Sequence, residues 1–118
     1  MNKLKVIIVC MLLAGTAQAK DLTQSDLNQA ASQQFDSADF MLNKAYQKLV
    51  AVLDKDMKKE LKEAQKAWLK FRDLNSKFRS NQYKGGSLSG LIYIQARIEM
   101  TQNRTAELTK TLLTFTTN

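Results

Sequence analysis

The chain has 118 residues, 44% of them hydrophobic and 25% charged, which makes it one globular domain at most. It has no histidine and one cysteine, which removes the usual general base, the usual transition-metal ligand and every Ser-His or Cys-His nucleophile pair. No catalysis, cofactor or metal site is therefore expected, and the net charge of +7 becomes the property to explain.

The first segment reads as an export signal. Lys3 and Lys5 form a charged start, Val6 to Gly15 an apolar run, and Ala17-Gln18-Ala19 an A-x-A cleavage site. Residues 1–19 are thus expected to be a signal peptide and 20–118 the mature helical domain, delivered to the periplasm. The apolar run is short for a spanning helix, and Ile8-Val9 lack the small residue that usually precedes a lipidated cysteine. Cleavage removes Cys10, so packing alone must hold a domain whose compartment would allow disulfides. Without Lys3 and Lys5 the charge is +5, unevenly spread. Residues 20–43 carry one Lys against Asp21, Asp26, Asp36 and Asp39, whereas residues 61–118 carry ten basic and four acidic side chains.

Thr23-Gln24-Ser25-Asp26 has the form of a helix start, with Thr23 as N-cap. Leu27, Ala31, Phe35, Ala38, Leu42, Ala45, Leu49 and Val52 or Leu53 then recur at steps of three and four, predicting one long amphipathic helix from Gln24. Asp54-Lys55-Asp56 is a short polar break in which either aspartate can cap the next helix, and so short a connection implies an antiparallel hairpin. The second helix carries Met57, Leu61, Ala64, Trp68, Phe71, Asn75 and Phe78 in heptad-like alternation and should end near Gln82. Lys84-Gly85-Gly86-Ser87-Leu88-Ser89-Gly90 is a loop in which Ser87 or Ser89 can cap a third helix. Leu91, Ile94, Ile98, Thr101, Thr105, Leu108, Leu112 and Phe115 supply its stripe, with fraying expected from Thr114. The fold class is all-α: an elongated three-helix bundle with a Gly-Gly-Ser loop between helices two and three. The same stripes would also serve a homodimer.

Three constellations invite a functional reading. In Ala64 to Asp73, Trp68 and Phe71 share a helix face, with Gln65 and Arg72 beside them; core packing with a local Arg72-Asp73 salt bridge is the plain alternative. Lys59, Lys62, Lys66 and Lys70 line one face of the second helix. For an exported chain this excludes nucleic acid and leaves a solvated face or attraction to anionic lipopolysaccharide or lipid. Lys84 to Ser87 puts a cation and a hydroxyl on a loop at the end of a rigid rod, where binding residues collect, although a plain connection would look the same.

With these residues in view the chain resembles the lysozyme inhibitor LprI-like family of small exported bacterial proteins. The resemblance rests on Leu22-Thr23-Gln24, Leu27-Asn28, Ala38-Asp39, Leu42-Asn43, Tyr46 to Leu49, Ala64-Gln65, Ala67-Trp68, Phe71-Arg72-Asp73, Gly85-Gly86-Ser87, Thr101, Arg104 and Leu108. It implies a non-enzymatic helical protein whose partner is a lysozyme or another cell-wall hydrolase. The candidate partner-binding set is Lys84, Gly85, Gly86, Ser87, Gln65, Arg72, Asp73 and Arg104, although Arg72, Asp73 and Arg104 would be matched across the family equally if they tied helix two to helix three. An envelope-binding or structural module acting through the basic face is the alternative. The family commonly carries helix-stapling cysteines, and the corresponding positions here are Ala30, Ser76 and Ala96, all small.

Overall fold

In a computed structural model that describes residues 21–117, three helices follow one another: α1 (Gln24–Val50), α2 (Lys55–Asn81) and α3 (Ser89–Thr116). The expected signal peptide, its cleavage site and Cys10 lie outside the described residues. Local chemistry starts the first two helices. The Thr23 hydroxyl accepts from the Asp26 N–H at 3.1 Å while the Asp26 carboxylate accepts from the Thr23 N–H at 3.0 Å, a reciprocal capping box. Asp54 caps α2 by accepting from the Met57 N–H at 2.9 Å.

The third start differs from expectation. Neither Ser87 nor Ser89 caps α3; its N-cap is Leu88, with no side-chain hydrogen bond. The Ser89 hydroxyl instead donates to the Ser80 carbonyl at 3.3 Å, satisfying the end of α2, where carbonyls lack helical partners. At the other end α3 stays helical to Thr116, where fraying was expected. Thr109, Thr111 and Thr116 donate to carbonyls four residues back, at 2.8, 3.1 and 3.1 Å.

The helices run up, down and up in a rod of 54 × 30 × 21 Å. The closest and most extensive packing is between α1 and α3, then between α2 and α3. Part of the reason lies in α1, whose buried side sets Ala31, Ala38 and Ala45 at seven-residue intervals beside Leu42 and Leu49. Small residues so spaced let a neighbouring backbone approach. The hairpin partners α1 and α2 meet chiefly through long side chains.

The interior has two characters. One end is apolar: Leu42, Ala45, Leu49, Leu53 and Leu108 form the core cluster, with Tyr46, Leu61, Trp68 and Leu112 packed against it. Towards the other end, where α1 begins and α2 gives way to α3, the buried set includes Arg72, Ser76, Ser80 and Thr101. This polarity comes from α2, whose inward side is Leu61, Gln65, Trp68, Arg72, Ser76 and Ser80. The expectation that Phe71 and Phe78 are core is overturned: they are 58% and 66% exposed, and Leu74 between them 58%. Met57 and Ala64, from the same predicted stripe, are exposed as well.

Candidate functional site

The polar end is organised by Arg72, which is only 5% exposed. Its Nε donates to Asp73 Oδ1 at 2.9 Å and its Nη1 to Thr101 Oγ1 at 3.5 Å, with Asp39 Oδ1 3.9 Å from Nη1. The guanidinium lies over the rings of Phe35 and Trp68, at 5.2 and 5.5 Å from their centroids. One side chain thus touches all three helices, satisfied by acceptors and by aromatic faces that attract a cation.

Arg97 of α3 completes the arrangement. It donates to the same Asp73 Oδ1 at 3.1 Å and stacks on Phe35 at 4.0 Å and on Tyr93 at 5.3 Å. Burial by itself would raise the Asp73 carboxyl, but the hydrogen bonds and charges of Arg72, and then those of Arg97, outweigh it and hold the group below its ordinary value. Farther along, Arg104 Nε donates to Gln65 Oε1 at 3.0 Å and Nη1 to Glu107 Oε1 at 3.2 Å, with Trp68 6.0 Å beneath. Gln65, Arg72, Asp73 and Arg104 therefore lie along one seam, bonded to one another or to neighbouring helices.

Lys84, Gly85, Gly86 and Ser87 lie apart from that seam, all exposed, on the turn that closes the polar end. Roughly 13 Å of helix separates Arg72 from the end of α2. The turn is built from short backbone bonds, Tyr83 N–H to Ser80 O at 2.9 Å and Gly86 N–H to Tyr83 O at 3.0 Å. Gly85 takes φ +87°, which an L side chain rarely adopts. Lys84 forms no ion pair with a described residue. The antiparallel path brings this turn to the same end as the acidic start of α1.

The basic face expected on α2, Lys59, Lys62, Lys66 and Lys70, is exposed. Sequence reasoning missed Arg97 and Tyr93. A signal was available for the former, since Arg97 and Arg104 are seven apart and so share a face of α3. Of the positions where relatives are expected to carry cysteine, Ser76 and Ala96 are buried and Ala30 is exposed.

The family described as lysozyme inhibitor LprI matches residues 15–108. An uncharacterized protein of Rhizobium meliloti (strain 1021) is 32% identical, the alignment covering 89% of this chain and 88% of that protein. No solved structure gives a significant match.

Proposed function

Because the chain belongs to the lysozyme inhibitor LprI family, we propose that it is an exported, non-enzymatic periplasmic protein that binds and inhibits a peptidoglycan-cleaving hydrolase. The target is a host lysozyme or a hydrolase delivered by a competing bacterium, the latter making the chain an immunity protein. One observation carries the choice of contact surface. Gln65, Arg72, Asp73 and Arg104 spend their hydrogen bonds on the seam between helices, whereas Lys84 to Ser87 are exposed and Lys84 has no described ion partner.

In this reading the seam is the scaffold and the turn is the probe. Glycoside hydrolases flank the scissile bond with two carboxylates. The Lys84 ammonium enters that cleft and pairs with them, while the Ser87 hydroxyl supplies a further hydrogen bond. Gly85 and Gly86 carry no side chain to keep the two backbones apart. A basic lysozyme would meet long-range repulsion from a chain at +5. Asp21 and Asp26, at the same end as the turn, supply the local attraction that offsets it.

The test is a turbidity assay of peptidoglycan lysis by c-type lysozyme, with and without an excess of the Lys20 to Asn118 chain, at low and physiological salt. Slowed lysis at both salts is expected, lost when Lys84→Ala and Ser87→Ala are combined while the melting temperature is unchanged. Undiminished inhibition by that double variant would refute the turn as the probe. No inhibition of lysozyme or of other peptidoglycan hydrolases would refute the function itself.

A further inference from the structure

The outer face of α2 carries two features that the inhibitor reading does not use. Phe71, Leu74 and Phe78 stand 58%, 58% and 66% exposed, and at 100° per residue they fall within an arc of about 60° on the side away from Arg72 and Ser76. Lys66, Lys70 and Lys77 occupy the neighbouring arc, about 90° round the helix. All three lysines are exposed and none forms an ion pair with a described residue. An apolar ridge about 10 Å long is thus edged by a row of cations that make no ion pair with a described residue.

We propose that this face of α2 docks, lying flat, on an anionic phospholipid surface, the ridge entering the head-group boundary and the lysines meeting lipid phosphates. Charge and area decide the occupant. In a two-fold antiparallel pairing of two copies, each lysine row would face the other, which like-charge repulsion disfavours. The three exposed side chains also amount to roughly 350 Å² per copy, against about 800 Å² per partner in a stable protein interface. Lipid closes around a shallow ridge without a matching groove, and lysines beside Phe and Leu are the side chains that hold a helix in an anionic interface. The helix rests on the bilayer without crossing it, since no described helix is long and apolar enough to span.

The proposal stands apart from the inhibitor reading and is tested without an enzyme. The Lys20 to Asn118 chain, which contains all three helices and their core, is co-sedimented with vesicles of phosphatidylglycerol and phosphatidylcholine in equal parts, and with phosphatidylcholine alone. Binding is expected on the anionic vesicles, weakened about fivefold by each of Lys66→Gln, Lys70→Gln and Lys77→Gln. It should fall to background when Phe71→Ser, Leu74→Ser and Phe78→Ser are combined, and be unchanged by Phe40→Ser, an exposed position on α1. Phe78→Trp should add a blue-shifted emission component on anionic vesicles only. The proposal is overturned by equal binding to both vesicle types, by no binding, or by binding that survives the triple Ser variant. It is overturned equally by a dimer in sedimentation equilibrium that the triple Ser variant dissolves, which would assign the ridge to a second copy.

Discussion

Replacing Arg72 by alanine separates a structural seam from a surface ion pair. The carboxylates left behind are partly solvated, the Asp73 side chain being 45% exposed and that of Asp39 40%. The full penalty of an orphaned buried charge, about 3–5 kcal/mol, therefore does not apply. What is lost is a charge-assisted hydrogen bond, discounted for water access to about 1 kcal/mol, and stacking on Phe35 and Trp68 worth about 0.5 kcal/mol each. Burial of two methylenes of the stem adds about 1.5 kcal/mol. The sum, about 3.5 kcal/mol, should lower the melting temperature of a domain this size by more than about 10 °C.

Urea and thermal unfolding followed by far-UV circular dichroism would read this. Arg72→Met, which keeps the stem and loses the charge, should recover about half of the loss. A cost for Arg72→Ala below about 1 kcal/mol, the range of an exposed ion pair, would refute the reasoning and return Arg72 to the candidates for partner contact.

Three further outcomes follow from the same geometry. Asp73 has a folded pKa below its unfolded one, so as pH falls the unfolded chain takes up the proton first. Its contribution is therefore present above about pH 4 and lost as pH falls through the folded value, and Asp73→Asn should remove that part of the acid-unfolding curve. Ser76 is fully buried and its hydroxyl has no hydrogen-bond partner among the described residues; Ser76→Ala should leave stability unchanged or raise it by about 1 kcal/mol in urea unfolding. Leu42→Ala, in the apolar cluster, should cost about 2–5 kcal/mol, whereas Phe78→Ala should stay within about 0.5 kcal/mol. A cost for Phe78→Ala as large as that for Leu42→Ala would contradict the placing of Phe78 on the outer face of α2.

Which parts of the sequence announced themselves follows from how local each signal is. Thr23 with Asp26, and Asp54, act on backbone three residues away, so their caps could be read directly. The α1 stripe was readable because its buried side is apolar, from Ala31 to Leu49. α2 was misread because the rule that apolar residues point inward fails there. Its hydrophobic pattern leads to Phe71 and Phe78, while the inward register passes through Gln65, Arg72 and Ser76. What makes that polar face tolerable lies far along the chain, at Arg97, Thr101 and Arg104 of α3, and no local pattern joins residues so distant. That Arg72, Asp73 and Arg104 either bind a partner or tie α2 to α3 was open in the sequence; the bonds of Arg72 to Thr101, of Arg97 to Asp73 and of Arg104 to Gln65 show the tie.

The two ends of the rod divide the work of holding the chain together. At the apolar end, Leu42, Leu49, Leu53 and Leu108 bring the helices together by burial, which is strong but not directional. At the polar end the core set is Ile98 with small Ala31, Ala38 and Ala96, and the buried polar groups are Arg72, Ser76, Ser80 and Thr101. Directional bonds fix the helix positions there: Asp73 ties α2 to α3 through Arg97, and Arg72 reaches Asp39 and Phe35 of α1 and Thr101 of α3. A chain without disulfides in these helices needs such a device next to a glycine turn, because backbone entropy at Gly85 and Gly86 works against any fixed presentation of Lys84. The guanidinium seam therefore serves as the crosslink of the polar end, and in the proposed inhibitor the presentation of Lys84 depends on it.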